Sequence, residues 1–185
     1  FTRAFDINAA ANVVLAQAFL PAMISNNHGH FMTVASSASY FSLPNLCAYS
    51  MSKTAALAFL ESLRAELRAV YKACRVRTSV VTPTKVRTVL AEGLNEGDDD
   101  FLMPVLEPIQ VARAMADTLN SGLSRNISLP LGSALLPYLR ALPEWYRGAL
   151  RAMGNTDALV TPESISRGQQ ALRGHQSNLD HMKKL

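Results

Sequence analysis

The sequence predicts an α/β protein with a doubly wound parallel sheet, of which this chain supplies the last three strands and their flanking helices. Short runs rich in β-branched residues alternate along the chain with long helical patterns, and this order is typical of parallel sheets with right-handed crossovers. Three strands alone would leave an apolar sheet edge uncovered, which proteins normally avoid. We therefore expect the 185-residue chain to be part of a larger domain.

The first predicted elements are a helix and a strand joined by a polar break. The segment from Ile7 to Ile24 is rich in alanine and large apolar residues, which indicates a well-buried helix. The residues SNNHGH at 25–30 interrupt this pattern. His30 to Ala35 has the length and the β-branched and aromatic content of a strand, and the small polar residues from Ser36 to Asn45 indicate a loop.

A long second helix is predicted from about Leu46 to Cys74. Glu61, Arg64 and Glu66 lie on its outer face, which is the charge pattern of an amphipathic helix against a core. The apolar positions that recur at three- and four-residue steps, and that we expect to be buried, are Leu57, Leu60, Leu63, Leu67 and Val70.

The remaining elements complete the sheet. Val76 to Thr82 is a second strand, ended by Pro83. Residues 84–107 contain glycines, a run of three aspartates and a proline, which indicates a long, flexible loop of the kind that is usually functional or disordered. Pro108 opens a helix to about Leu119, and Asn126 to Leu131 is a third short strand.

The pattern changes after Gly132, so we divide the chain into residues 1–132 and a helical C-terminal extension with a polar tail at 133–185. Residues 133–153 mix leucine, tryptophan and tyrosine with three arginines, which suits a substrate pocket, a subunit contact or a helix lying on a membrane surface. Pro137 and Pro143 interrupt this stretch, so we treat peripheral membrane contact as one interpretation among the three.

Composition and charge exclude several classes of protein. The chain is 49% hydrophobic and 17% charged, which is typical of a folded domain. Its net charge of +4 is not gathered into a basic patch interleaved with aromatic residues, so we expect no nucleic-acid partner. We also expect no metal site, since the histidines have no carboxylate or thiol partners at ligand spacing; they are His28, His30, His175 and His181.

Cysteine usage and hydropathy favour a cytoplasmic location. Cys47 and Cys74 lie far apart without metal spacing, so reduced thiols in an intracellular protein are the default. The first residues, FTRAFDINAA, lack the apolar core of a signal peptide. We see no uninterrupted apolar run of the length needed to cross a bilayer, so we expect none of the elements to span a membrane.

Tyr49 and Lys53 form the first pattern with chemical content. Side chains at i and i+4 lie one turn apart on the same helix face. A free tyrosine has a pKa near 10, and a nearby cation lowers that pKa, as a general acid or base for carbonyl and alcohol chemistry requires. The spacing is common by chance, and a tyrosine packed beside a surface lysine satisfies it equally well.

Ser36 supplies the context that the pair needs. It lies thirteen residues before Tyr49, where the first strand ends. Ligands of doubly wound sheets bind outside the carboxyl ends of the strands, so a hydroxyl there can hold a substrate oxygen. Ser37 is the neighbouring candidate, and the preference for Ser36, with its thirteen-residue spacing to Tyr49, is implied by the family resemblance described next.

Together these residues resemble the second half of a short-chain dehydrogenase/reductase. The resemblance rests on DIN at 6–8, VASS at 34–37, YSMSK at 49–53, VVTP at 80–83 and ISLPLG at 127–132, with LESLRAEL at 60–67 also typical. It implies that Tyr49 is the acid/base, that Lys53 lowers its pKa and hydrogen-bonds the nicotinamide ribose, and that Ser36 orients the substrate. Asn8 would hold a water in a proton relay to Lys53, although an Asn in such a position is more often a helix cap.

The resemblance also implies a cofactor, NAD(P)(H), held by Asn8, Tyr49, Lys53, Pro83, Val86 and Thr88. The family often has Pro-Gly-x-x-x-Thr after this strand, and here Thr84 replaces the glycine. A Cβ at that position restricts backbone approach and positive φ. The family's Gly-rich pyrophosphate turn has no counterpart in this chain, so residues 1–132 would be the catalytic half of an NAD(P)-binding Rossmann-like domain.

Two functions follow from this resemblance. The first is an oxidoreductase that transfers hydride between NAD(P)(H) and a small alcohol or ketone, which we expect to be apolar because residues 133–153 are similar to the same part of retinol-dehydrogenase-like fungal members. A homodimer is expected if the full domain is present. The alternative is a truncated, catalytically silent remnant that keeps the two long helices as an interaction or dimerisation module.

Overall fold

The computed structural model describes residues 2–91, 104–153, 160–168, 170 and 173–174. Two predicted segments lie outside the described residues. They are most of the polar tail, which contains His175 and His181, and residues 92–103 of the loop, which contain its glycines and aspartates.

Three parallel strands form the sheet, as predicted. They are β1 (Gly29–Val34), β2 (Val76–Pro83) and β3 (Asn126–Leu129), in the spatial order β1-β2-β3. Val34 lies opposite Val81, and Val81 lies opposite Ile127. Because the strands are parallel and in register, their carboxyl ends meet at one edge of the sheet.

The first helix is longer than predicted. α1 runs from Thr2 to Ser25 and includes a π-helical turn at Asp6–Ala10. It has the length and apolar composition of a membrane-spanning helix, with a mean hydropathy of 1.6 over its most apolar window, so the prediction that no segment reaches that length was wrong. Only 17% of that window is buried in the described chain. Apolar length alone does not distinguish a spanning helix from a packed one.

Helix α2 (Cys47–Ala69) forms the packed layer of the fold and ends before the predicted Cys74. The predicted stripe is confirmed at four positions, where Leu57, Leu60, Leu63 and Leu67 are buried in one core cluster with residues of β1 and β2. Val70 is 67% exposed, because the helix has ended and Lys72 at a φ of 53° turns the chain back toward β2.

Helix α3 (Pro108–Ser121) begins and ends at the residues that the sequence signals. Glu107 and Gln110 form a reciprocal capping box, Pro108 occupies the first turn, and Gly122 closes the helix at a φ of 63°. Between β2 and α3, Val86 pairs with Leu106, so the described ends of the predicted loop, 84–91 and 104–107, are joined by a short bridge.

The C-terminal extension is helical in its described part. It contains a 3₁₀ turn at Leu131–Leu135, a short α4 (Leu136–Leu139), α5 (Glu144–Met153) and a helical segment at 162–168. The two predicted interruptions lie within the first turn of α4 at Pro137 and immediately before α5 at Pro143. The extension folds back on the loop after β1, since Asn45 Nδ2 donates to the Val160 carbonyl at 2.8 Å.

Candidate active site

Ser36 lies at the carboxyl edge of the sheet, two residues after the end of β1. It is 6% exposed and its backbone is extended, with φ −163° and ψ 158°. Its Oγ accepts a hydrogen bond from the Ala38 amide at 3.2 Å, which fixes the hydroxyl at the start of a 3₁₀ turn. The oxygen has thus used an acceptor position, and its O–H remains able to donate.

The strand pairing holds this serine beside β2. The Ala35 amide donates to the Val81 carbonyl at 2.9 Å, so the pairing of the two strands continues up to the residue before Ser36. Pro83 ends β2 at the same edge. The predicted meeting of the two strand ends at one edge is therefore confirmed.

Tyr49 and Lys53 lie in the first two turns of α2, on one face of the helix. The Lys53 Nζ atom lies 5.9 Å from the centroid of the Tyr49 ring. It donates a hydrogen bond to the Val34 carbonyl at 2.9 Å, which attaches α2 to the last residue of β1. An ammonium has three donors, so two remain for a ligand.

The pKa of Tyr49 is raised above its usual value because the phenol is buried, and a hydrogen bond with the Ser36 side chain opposes this rise. Burial likewise lowers the pKa of Lys53. The effect of the Lys53 ammonium on the pKa of Tyr49 stays a prediction, because the causes of the Tyr49 shift are burial and the Ser36 contact. Desolvation penalises the charged form of both groups, and at Tyr49 it outweighs the hydrogen bond with Ser36.

Asn8 lies in the π-helical turn of α1 and contacts α2 rather than Lys53. Its Nδ2 donates to Ser52 Oγ at 3.1 Å, and Ser52 Oγ donates to the Tyr49 carbonyl at 2.8 Å. π-Helical turns are frequent at functional sites, because they displace backbone groups from the helical ladder. Asn8 thus connects α1 to the backbone that presents Tyr49.

Two side chains that sequence reasoning missed complete this support. Asn12 Nδ2 donates to the Asn8 carbonyl at 2.8 Å, and Asn12 Oδ1 accepts from Thr33 Oγ1 of β1 at 3.3 Å. Ser52 is the other. The spacing in the sequence could have indicated both residues. Asn12 follows Asn8 by four residues and Ser52 follows Tyr49 by three, so each pair shares a helix face.

The turn after β2 holds the other predicted residues, Pro83, Val86 and Thr88. The Thr84 amide donates to the Leu129 carbonyl at 2.8 Å, and Thr88 Oγ1 donates to the Val86 carbonyl at 3.4 Å. Thr84 fits in place of glycine, because it is not among the residues with positive φ. Its hydroxyl is buried and has no hydrogen-bond partner among the described residues.

The profile of the short chain dehydrogenase family matches residues 1–99, which is more than half of the chain. The chain belongs to this family. The resemblance drawn from the sequence motifs is thereby confirmed, and the matched residues include Asn8, Ser36, Tyr49 and Lys53. No cluster of metal-ligating side chains occurs in the part of the chain that the structure describes.

Two relatives and one solved structure show how far this short chain dehydrogenase is similar to known members. It is 38% identical over 151 residues to human estradiol 17-beta-dehydrogenase 11, covering 80% of this chain and 48% of the relative. It is 38% identical over 117 residues to mouse epidermal retinol dehydrogenase 2, covering 63% and 37%. The chain thus spans about half the length, or less, of the curated relatives it matches.

The solved structure confirms the predicted fold class. A short chain dehydrogenase from Burkholderia cenocepacia, solved in complex with NADP, superposes with a TM-score of 0.60 at 26% identity. The superposition covers 85% of this chain and 58% of that one. The three strands and their helices therefore form part of a Rossmann-like sheet.

We expect Ser36→Ala to raise the pKa of Tyr49 further, because the hydrogen bond that opposes desolvation is lost. The tyrosinate absorbance of each protein, with and without Tyr49→Phe, isolates this one titration among the five tyrosines. Ser37→Ala is the matched control and should leave the pKa of Tyr49 unchanged. A shift of the Tyr49 pKa in Ser37→Ala but not in Ser36→Ala would show that Ser37, and not Ser36, makes this contact.

Proposed function

We propose that the protein is an oxidoreductase that transfers hydride between NAD(P)(H) and an alcohol or ketone. The observation that supports this most strongly is the position of Tyr49 and Ser36 at the carboxyl edge of the sheet, with Lys53 attached to the end of β1. Ligands of doubly wound sheets bind at that edge.

In this proposal Tyr49 is the general acid of ketone reduction. Its raised pKa keeps the phenol protonated at neutral pH, so it has a proton to donate to the substrate oxygen. Ser36 lies beside the same oxygen, since its hydroxyl is oriented by the Ala38 amide and is hydrogen-bonded to Tyr49. Alcohol oxidation requires the phenolate, which the Ser36 hydrogen bond and the Lys53 ammonium favour.

The residues at the turn after β2 fit the carboxamide end of a nicotinamide. The Thr84 hydroxyl is a buried polar group without a partner among the described residues. A carboxamide supplies both an acceptor and donors. We assign Pro83, Val86 and Thr88 to this end and Lys53 to the neighbouring ribose, while Asn8 supports Tyr49 and Lys53 from α1. When bound, the nicotinamide supplies or accepts the hydride.

The substrate we propose is a lipophilic alcohol or ketone. The names of the two relatives specify estradiol and retinol, which are both apolar alcohols. In this chain, the described part of the extension contacts the loop after Ser36, with the Arg151 guanidinium 5.0 Å from the Phe41 ring centroid. This contact supports the division at residue 132, with the extension covering the substrate side of the catalytic half.

We further propose that the protein is cytoplasmic and touches a membrane surface through residues 133–153. Several large apolar side chains of this segment are exposed, among them Leu135 at 68%, Tyr138 at 73% and Trp145 at 74%. Exposed aromatic and aliphatic residues next to arginines suit the interface between water and lipid.

A homodimer through α1 is the assembly we propose for the full domain. Ile7 and Val14 lie two turns apart on the side of α1 away from the sheet and are 61% and 62% exposed. Exposed apolar residues along one helix face are costly in water and favour a partner surface. A catalytically silent dimerisation module would use the same surface of α1. A test of the catalytic residues is therefore needed to distinguish the oxidoreductase from the silent module.

Tyr49→Phe in the full-length protein should reduce kcat by at least about 100-fold, because the proton donor is removed while the ring is kept. The measurement is NAD(P)H-dependent turnover of steroid and retinoid alcohols and ketones, with circular dichroism to verify folding. Tyr71→Phe, at a half-exposed tyrosine outside the site, is the control. Turnover in the Tyr49 variant equal to that of the wild type would remove Tyr49 from its role and leave the silent module as the better reading.

Trp145→Ala should weaken co-sedimentation with phosphatidylcholine–phosphatidylserine vesicles by about tenfold, because burying a large aromatic side chain contributes about 1.5–3 kcal/mol. Ile109→Ala is the matched control, since Ile109 is 55% exposed on α3. Equal binding of the wild type and both variants would contradict membrane contact through 133–153.

Val14→Glu should convert the full-length protein from dimer to monomer in light scattering, because a carboxylate is costly to bury at an apolar interface. Ala112→Glu places the same charge at an exposed position on α3, away from α1, and should leave the dimer intact. A wild-type monomer, or a dimer that survives Val14→Glu, counts against this surface.

A further inference from the structure

A basic cleft lies at the amino edge of the sheet, which is opposite the carboxyl edge that holds Ser36. It has a volume of about 260 Å³ and is lined by His28, His30, Arg75 and Arg77, with Leu119 and Gly122 at the end of α3. β1 has six residues, and a strand rises about 3.3 Å per residue, so the cleft lies about 17 Å from the Ser36 edge.

The walls of the cleft are held in place by backbone contacts. The Arg75 amide donates to Asn27 Oδ1 at 3.0 Å, which ties the turn before β2 to the loop before β1. Gly29 has a φ of 153°, and a Cβ there would lie 2.5 Å from Met23 Cγ, so this close approach requires glycine. The two histidines flank this fixed glycine.

Arg77 has a structural role that uses only part of its donor set. Its Nε donates to the Gly122 carbonyl at 2.9 Å, and its Nη1 donates to the Cys74 carbonyl at 3.0 Å. A guanidinium carries five N–H donors, so three remain. The helix dipole also favours a cation at the carboxyl end of α3. This explains the position of the Arg77 side chain but not the presence of Arg75 beside it.

Arg75 has no such structural role. Its side chain is exposed, and within the described residues its guanidinium has no hydrogen-bond or ion-pair partner. Among the residues that the structure describes, no carboxylate lines the cleft, so the two guanidinium groups face one space without a counter-charge from that part of the chain. His30 Nε2 pairs with Ser79 Oγ at 2.9 Å, and burial together with Arg77 lowers the pKa of His30, as expected where positive charge is concentrated.

We propose that this cleft is a binding site for a phosphate monoester group, with Arg75 and Arg77 supplying charge-assisted hydrogen bonds. Guanidinium groups match phosphate oxygens in pairs, and the unused donors of two arginines exceed what one monovalent carboxylate can accept. The phosphate belongs either to a small molecule or to a lipid headgroup. The inference does not depend on the oxidoreductase proposal, since the two sites share no residue.

The test is isothermal titration calorimetry of the full-length protein with inorganic phosphate and with glycerol 3-phosphate, at constant ionic strength so that screening is equal. We expect saturable binding, weakened about tenfold by Arg75→Gln, which removes charge-assisted bonds from a side chain that stabilises nothing else. Arg113→Gln removes the same charge from the exposed face of α3 and should bind as the wild type does.

A second arm distinguishes the sources of the phosphate. If the phosphate belongs to a lipid, vesicles of phosphatidylcholine with phosphatidic acid should bind more of the wild type than of Arg75→Gln. If it belongs to a small molecule such as glycerol 3-phosphate, the vesicles should bind the two proteins equally. The proposal is overturned if the wild type binds no phosphate source saturably, or if Arg75→Gln and Arg113→Gln lose affinity equally. Circular dichroism verifies that both variants are folded.

Discussion

The parallel, in-register pairing of β1 with β2 is the constraint on which the rest of the molecule depends. Val34 lies opposite Val81, and the Ala35 amide extends the pairing by bonding to the Val81 carbonyl. A slip by one residue would turn every side chain of β1 to the other face of the sheet. In the observed register, the strand ends bring Ser36 and Pro83 to one edge, and the Lys53 ammonium bonds to the Val34 carbonyl there.

Burial at this edge sets the chemistry of the site. Moving a phenol and an ammonium out of water favours the neutral form of each, so the pKa of Tyr49 rises and the pKa of Lys53 falls. A protonated tyrosine is suited to give a proton rather than take one. The Ser36 hydrogen bond is the contact within the chain that works against this preference.

The polar contacts below the site explain why α1 belongs to it. Thr33, Asn12 and Asn8 form a chain of hydrogen bonds from β1 into the π-helical turn, and Ser52 continues it to the Tyr49 carbonyl. Buried polar groups of this kind are costly unless every member is paired, so the network holds α1 and α2 in one arrangement. Apolar residues on the outer side of α1, Ile7 and Val14 among them, are exposed.

The sequence by itself determined the strand and helix order, the buried stripe of α2 and the grouping of Ser36, Tyr49 and Lys53, because period, strand length and i,i+4 spacing are local properties. Tertiary structure decided the rest. Spacing could not show that burial raises the pKa of Tyr49, since desolvation depends on the whole surrounding fold. Nor could it show that Asn8 bonds to Ser52, forty-four residues away, or that Arg75 and Arg77 face one cleft with two histidines, because those contacts exist only once the strands are paired.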